Sequence, residues 1–546
     1  MSTIMVLCVL IAVAGVLAFI ARRLLRYLMF FQQDGYNHTR FLQWLKQHNA
    51  FDKRGTVIAL VCLMLTLKST PLLAILIAFL GVAALVIVGW VIEKDPRTTG
   101  KVRLNMTARA TRIYFGALAL AVVGIALTSI VLTDISAQID SSMWKIWLLA
   151  AIWIQVTPLM LVVADLFWKP FEQNLQDRFR REAEDLLKQG APLVIGITGS
   201  YGKTSTKAIL GDLLNQCVGP TYWPRGSINT VMGITRDIRE KLRTTHRFAI
   251  IEMGAHGVGS IKRLCDFTPP RAAIVTAVGV MHLERFGNVE NIYRAKSELP
   301  QALPRDGILV CNGDDPGARR MAKEYPTQHL YLYGFDKSAG PLDCYAKDIQ
   351  FTDSGSRYVI EWKGVQYSVT TPLLGRPAIS NSLAAFTMAC ALGGEPAYVA
   401  AALSTIQPVT NRLSIEKTKT GTFLQDAFNS NPTGFRSALE VLQGMNAKRR
   451  ILMTPGMIEL GDRQVIENET IAEQAGRFLD LAIVVGATNK DALLRGFAKS
   501  GLASEKIYAV PTREEAFRRL SEIESPGDII LIENDLPDLY ESNARF

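Results

Sequence analysis

The sequence predicts three parts in order: an α-helical transmembrane domain, an α/β phosphate-loop domain and a Rossmann-like α/β C-terminal domain. Three observations carry this reading. The N-terminal third holds five apolar stretches; Val194–Asn215 reads as a buried strand, a glycine turn and a helix; and from Thr422 onward short apolar strands alternate with amphipathic helices, the mark of a doubly wound sheet. At 546 residues the chain exceeds one ordinary domain. The expected divisions are 1–168 for the membrane part with about five spans, 169–191 for a helical linker, 192–409 for the phosphate-loop domain and 410–546 for the C-terminal domain.

The membrane part comes first. Thr3–Ile20 is almost wholly apolar and is followed at once by Arg22, Arg23 and Arg26, whereas a cleaved signal peptide carries its positive charge before the apolar run. Further apolar stretches lie near Gly55–Leu67, Pro71–Ile92, Ile113–Thr133 and Ile146–Phe167, most of them near the roughly 20 residues a helix needs to cross a bilayer. Gly55–Leu67 is short, so the break at Lys68-Ser69-Thr70-Pro71 joins either two spans or a re-entrant pair. Ala21–Arg54 carries seven basic and two acidic residues and Glu93–Arg112 six and two, against one and two in Asp134–Lys145. The positive-inside rule then puts the first two segments, and the soluble domains, in the cytoplasm, as in a multi-pass protein of the inner membrane. Few polar residues interrupt the spans.

The net charge of +10 does not indicate nucleic acid. Up to Trp168 there are 15 Lys+Arg against 7 Asp+Glu, and beyond it 45 against 43, so the excess belongs to membrane topology. The seven cysteines show no CxxC pair and no zinc spacing, which suits scattered thiols in a reducing compartment.

In the central domain, Val194–Thr204 closes with Thr198-Gly199-Ser200-Tyr201-Gly202-Lys203-Thr204 and runs on as a helix through Ser205–Asn215. Such a turn brings backbone N–H groups around phosphates at a helix N-terminus, with Lys203 neutralising β/γ oxygens and Thr204 offering its hydroxyl to magnesium. The general P-loop spacing has glycine where Ile197 stands. Phe248–Glu252 is a strand ending in a carboxylate, and Val278–Gly287 and Tyr293–Glu298 follow another strand.

Taken together, Gly-x-Thr-Gly-x-x-Gly-Lys-Thr, Glu252-Met253-Gly254, Met281-His282-Leu283-Glu284 and Arg294-Ala295-Lys296-Ser297-Glu298 resemble the Mur ligase family, most closely its D-alanyl-D-alanine-adding branch, over about Pro192–Gly461. The resemblance implies ATP and Mg2+, with Thr204, Glu252, His282 and Lys296 as metal-holding residues and Lys296 as a lysine open to carbamylation. It implies catalytic roles for Lys203, Glu252, His282, Lys296 and Arg412. It also implies nucleotide contacts from Thr198, Gly199, Ser200, Gly202, Lys203, Thr204, Asn229, Asn381, Arg412, Asp426 and Asn429. Thr230 departs from a paired Asn-Asn, and Pro377-Ala378 from the usual His-Asn of the base-binding segment. Ser380 or Asn381 as a helix cap is the alternative there, and an ordinary turn is the alternative for Asn431-Pro432.

The C-terminal strands are expected at Thr422–Phe428, Arg450–Thr454, Leu481–Val485, Lys506–Val510 and Asp528–Ile532. Two departures sit where the resemblance puts the incoming amine. Gly456 replaces an aspartate, and Glu533-Asn534-Asp535-Leu536-Pro537-Asp538 replaces a Lys-Gly-Ser-Arg-like ending, which changes the charge a substrate meets. The implied activity is ATP-dependent joining of a carboxylate acceptor to an amino acid or other amine through an acyl phosphate, in cell-wall (peptidoglycan-related) precursor synthesis. Hydrophobic spans stand where the family carries its uridine-nucleotide-binding domain, so a lipid-linked acceptor and contact with membrane lipid are expected. A polyglutamate-type ligase and an ATP-driven transporter or signalling protein remain alternatives.

Overall fold

Apolar residues at helical spacing, Ala12, Val16, Phe19 and Ile20 among them, bury one face of α1 (Thr3–Gln33) in the core of an all-helical first unit. The computed structural model describes residues 3–67, 69–98, 103–135, 143–255, 257–279, 286–352, 354–408, 413–418, 421–426, 430–458 and 460–534. The expected residues His282, Arg412, Asn429, Asp535 and Asp538 lie outside them, as does most of the 134–145 connection. The chain divides near Leu175 into a first unit and a second one that follows from Gln176.

In the first unit α1 is joined by α2 (His38–Gln47), α3 (Arg54–Thr66), α4 (Pro71–Val86), α5 (Ala108–Ile135) and the beginning of α6 (Met143–Gly190). Among the described residues, four of its helices are long and apolar enough to cross a membrane: Leu7–Gln33, Pro71–Ile92, Ala108–Ile130 and Trp144–Gly190; Arg54–Thr66 is apolar but shorter. Exposed Leu72, Val91, Phe79 and Phe167 leave much of their outer surface apolar. Where the sequence suggests a span followed by a separate linker, α6 is one helix through Gly190, with Pro158 and Pro170 inside it.

Charge is more deeply placed here than the sequence pattern suggests. Helix α4 runs on as a π-helical turn, Ile87–Ile92, and the Arg22 Nε donates to the Gly89 carbonyl at 2.9 Å. Arg23 pairs with Asp52 and Glu93, both buried, and Arg26 reaches Glu93 at 2.7 Å. Asp165 takes Arg109 at 2.9 Å and His38 at 2.8 Å. Each of these buried carboxylates has a basic partner, as burial requires.

The second unit holds two sheets. The first has nine strands: β1 (Leu193–Thr198), β2 (Thr221–Tyr222), β3 (Phe248–Glu252), β4 (Ala272–Val275), β5 (Ile308–Asn312), β6 (His329–Gly334), β7 (Cys344–Thr352), β8 (Gly355–Trp362) and β9 (Val365–Thr371). Their order is β2-β3-β1-β4-β5-β6-β7-β8-β9, parallel as far as β7 and antiparallel through β8 and β9. The near-continuous burial of β1, β3 and β4 is what a parallel sheet covered on both faces demands. The second sheet contains β10 (Ser414–Lys417), β11 (Thr422–Asp426), β12 (Arg449–Thr454), β13 (Leu481–Val485), β14 (Ile507–Val510) and β15 (Asp528–Glu533). Its order is β10-β11-β15-β12-β13-β14, parallel except for β10. The five expected C-terminal strands all form, with ends shifted by two residues or fewer.

Candidate active site

The phosphate loop leaves the C-terminal end of β1, between β3 and β4, and enters α7 (Lys203–Cys217). Ile197 needs no glycine because it is the fully buried penultimate residue of β1, paired with Glu252. Gly202 has φ +79°, and a Cβ there would stand 2.3 Å from Asn381 Oδ1, so the turn requires glycine on both counts. Gly199 is bounded in the same way by the Thr276 hydroxyl. The Thr198 hydroxyl donates to the Met253 carbonyl at 3.2 Å, tying the loop to β3. Lys203 Nζ folds onto the loop, donating to the Gly199 carbonyl at 2.6 Å.

Glu252, at the end of β3, organises the floor. Its Oε2 accepts from the Thr204 hydroxyl and from Lys207 Nζ, each at 3.0 Å, and its Oε1 accepts from Asn229 Nδ2 at 3.1 Å. Ser227 Oγ lies 3.2 Å from Thr204 Oγ1. These clustered hard oxygens fit a magnesium ion, which favours such donors. Lys207 was not singled out in the sequence; it follows Lys203 by one helical turn, a spacing that puts both on one face of α7. Burial pushes its ammonium pKa down, against the pull of Glu252.

Lys296, in α10 (Val289–Gln301; α8, Val231–Lys241, and α9, Ser260–Phe267, precede it), is buried. Burial and the nearby Lys203 charge hold its pKa well below the ordinary lysine value, opposed by Asp315. It does not line the cavity described below.

Several departures have local causes. Thr230 caps α8, accepting from Gly233 N at 3.3 Å. Pro377 stands in the first turn of the helix Arg376–Ala391, where proline costs no hydrogen bond, and Ser380 and Asn381 lie farther in rather than at its cap. There Asn381 Oδ1 accepts from Thr206 at 3.1 Å. Asn431 caps the helix Pro432–Gly444 through Gly434 N at 2.9 Å. Gly456 has φ +79°, and a Cβ would meet Asn468 Oδ1 at 2.5 Å, so the backbone here favours glycine.

The second sheet contributes two carboxylates from adjacent strand ends, Asp426 of β11 paired with Glu533 of β15. Asp426 Oδ1 accepts from Leu413 N at 3.2 Å. Glu533 is 1% exposed; its Oε1 accepts from the Ser430 hydroxyl at 2.5 Å, and its Oε2 has no hydrogen-bond partner among the described residues. Burial, reinforced by Asp426, holds the Glu533 carboxyl well above the usual carboxylate range, while Ser430 pulls the other way. Asn534, at φ +67°, fixes the strand end by donating from N to the Asp426 carbonyl at 3.0 Å and from Nδ2 to the Gly456 carbonyl at 2.5 Å.

A cavity of about 280 Å³ gathers these parts, lined by Ser200–Ser205, Asn229, Glu252, Asn381, Asp426 and Glu533 among others. The sequence marks Glu533 only as part of an acidic ending and gives Ser430 no role of its own; the fold makes them neighbours across 103 residues.

Comparison with known proteins agrees with this geometry. Residues 197–389 match the Mur ligase middle domain, and residues 411–533 match the Mur ligase glutamate ligase domain. A UDP-N-acetylmuramoyl-tripeptide–D-alanyl-D-alanine ligase of Mycobacterium tuberculosis is 32% identical over 368 residues, 63% of this chain and 71% of that protein. The chain belongs to the Mur ligase family. A Bacillus subtilis ligase of the same name is 27% identical, over 66% of this chain and 78% of that protein. Among solved structures, MurF from Acinetobacter baumannii aligns with a TM-score of 0.58 at 26% identity, covering 66% of this chain and 77% of that one. MurF from Thermotoga maritima in complex with ADP aligns at 0.57 and 25%, covering 66% and 80%. This Mur ligase is thus an ATP-dependent carbon–nitrogen ligase of the acid–amino-acid type, in a family that uses ATP and Mg2+.

Proposed function

We propose that the chain is a membrane-anchored ligase that joins a carboxylate acceptor, itself lipid-linked, to an amine through an acyl phosphate in cell-envelope precursor synthesis. The observation that carries this is one cavity holding the phosphate loop, Glu252 and the Asp426–Glu533 strand ends, in a chain with four helices long and apolar enough to span a bilayer. The organisation proposed is a membrane domain at 1–168, a helical connection at 169–191, an ATP-binding domain at 192–409 and a ligase domain at 410–546, with the last two in the cytoplasm.

A carboxylate does not yield hydroxide to an amine at neutral pH, so a better leaving group is needed. The acceptor carboxylate attacks the γ-phosphate of ATP and ADP departs; the amine nitrogen then attacks the acyl carbon, phosphate leaves with the C–O electron pair, and a proton is lost. Backbone N–H groups of Gly199–Gly202 cradle the phosphates, and Lys203 and Arg412 neutralise the charge that develops on them. Thr204, Glu252 and His282 are the residues assigned to hold magnesium, which when bound offsets phosphate charge. Lys207, by pairing with Glu252, keeps that carboxylate in place. Thr198, Asn229 and Asn381 shape the loop and its surroundings, while Asp426 and Asn429 are assigned to the nucleotide side. Lys296, whose pKa burial and the Lys203 charge lower, is the lysine assigned to carbamylation by carbon dioxide, and that modification would make it a metal-holding carboxylate.

The substrate named for the relatives, a uridine-nucleotide muramoyl peptide, is replaced in this reading by a lipid-linked acceptor. The test is mass spectrometry of lipid-extractable and cell-wall material from cells with and without the protein. The expected result is a mass step equal to one added amine minus water, confined to the lipid fraction of cells that contain it. Equal activity on a soluble uridine-nucleotide precursor, with the spans removed, contradicts the lipid-linked acceptor.

A further inference from the structure

We infer that Lys207 is a built-in counter-ion of the magnesium seat: its fixed ammonium cancels the charge of Glu252, so that a free divalent cation is held weakly and the metal enters together with the nucleotide. This rests on the ATP and Mg2+ reading above and specifies what controls the loading of that site.

The argument starts from the charges around Glu252. Thr204 and Ser227 are neutral hydroxyls and Asn229 a neutral amide, so Glu252 brings the formal negative charge of this hydrogen-bonded group. Lys207 Nζ stands 3.0 Å from Glu252 Oε2 and cancels that charge. The ammonium is also pinned. It donates to the Gly226 carbonyl at 2.6 Å, and its side chain and that of Glu252 are each 1% exposed, so the pair is anchored and shielded from water. Lys203, one helical turn earlier, lies instead against the phosphate loop, where its charge faces the nucleotide.

Hydrogen bonding does not close this seat to a metal. A carboxylate has about four acceptor positions; Thr204, Lys207 and Asn229 use three of them, and the Thr204 oxygen keeps lone pairs of its own. Charge is what sets the threshold. Magnesium gives up its water reluctantly and is held in nucleotide sites through one or two carboxylates together with substrate phosphates. A carboxylate already neutralised offers a lone divalent ion dipoles and little net charge, and the ion also meets the Lys207 ammonium, a like charge in a setting poor in water, where repulsion is strong. With nucleotide bound, phosphate oxygens at the loop that opens α7 supply the missing negative charge. Glu252 and Lys203 line one cavity with that loop, so metal and phosphate share a single chamber.

The experiment counts free Mn2+ by electron paramagnetic resonance as MnCl2 is added to the full-length protein in detergent micelles, with and without a non-hydrolysable ATP analogue. In the wild type, tight Mn2+ binding is expected only with the analogue. Without nucleotide, Lys207→Gln should bind Mn2+ about tenfold or more tightly than the wild type, whereas Lys207→Arg, which keeps the charge, should not. The gain should vanish when Glu252→Gln is added to Lys207→Gln, which places the ion at Glu252. Thermal unfolding gives a second readout: Mn2+ alone should raise the melting temperature of Lys207→Gln and leave that of the wild type unchanged. Three results overturn the inference: Mn2+ binding to the nucleotide-free wild type as tight as with the analogue, no gain in Lys207→Gln, or an equal gain in Lys207→Arg. The wild-type comparison stands even where a variant fails to fold. Absence of Mn2+ binding even with the analogue would overturn the magnesium assignment and the inference with it, whereas ADP release surviving in Lys203→Ala would overturn the ligase reading and leave these titrations untouched.

Discussion

Two buried glutamates end parallel strands and line the same cavity, yet their surroundings are opposite. Glu252 closes β3 with both oxygens occupied by Thr204, Lys207 and Asn229. Glu533 closes β15 beside another carboxylate, with one oxygen unpartnered. The first arrangement is self-sufficient and holds the phosphate end of the site rigid before any substrate arrives, which is how electrostatic preorganisation lowers a barrier. The second leaves one buried oxygen of Glu533 without a hydrogen-bond partner among the described residues.

Substitutions can break this contrast. Lys203→Ala removes the phosphate-facing cation and should lower substrate-dependent ADP release by about 10³-fold or more, read in a coupled assay, with little change in melting temperature. Glu252→Ala strands the buried Lys207 ammonium; since both side chains are 1% exposed, the loss should reach about 3–5 kcal/mol and appear as a lower denaturant midpoint. Gly202→Ala places a methyl against Asn381 in a backbone region costly for alanine, so about 1–2 kcal/mol of stability should go, together with nucleotide affinity.

Glu533→Gln sharpens the other side through pH. Because the folded-state pKa of Glu533 is raised, the folded chain keeps a proton that the unfolded chain releases. Its contribution is complete below the ordinary glutamate value and is lost as pH rises through the raised value, by up to about 1.4 kcal/mol per pH unit. Glutamine has no proton to lose, so the variant should gain on the wild type in melting temperature as pH increases from about 5 to about 8; parallel curves would contradict the assignment of a raised pKa. Smallest is Asn431→Ala, which removes a helix cap and should cost about 1 kcal/mol in equilibrium unfolding.

Legibility in the sequence follows the same division. The loop was readable because its chemistry is local: strand, glycine turn and helix lie within 193–217, and Lys203 and Thr204 need only that stretch. The strands of the second sheet were readable from their apolar runs to within two residues. Lys207 was missed although its spacing from Lys203 was visible, because its significance depends on Glu252, 45 residues away. The Glu533–Ser430 contact could not be read, since only the parallel pairing of β11 with β15 brings it about. At Gly456 the sequence shows the missing aspartate but not the backbone, which at φ +79° lies close against the side chains of Asn468 and Asn489.

The central claim is that ATP turnover in this cavity makes an amide bond. Its most direct measurement is the stoichiometry of ADP released to amide formed by the full-length protein in native-like membranes, supplied with a lipid extract and an amine, for the wild type and Lys203→Ala. One ADP per amide in the wild type, dependent on both acceptor and amine, with neither product from Lys203→Ala, is the predicted result. Sustained ADP release by the wild type without acceptor, without amine and without any amide product contradicts it.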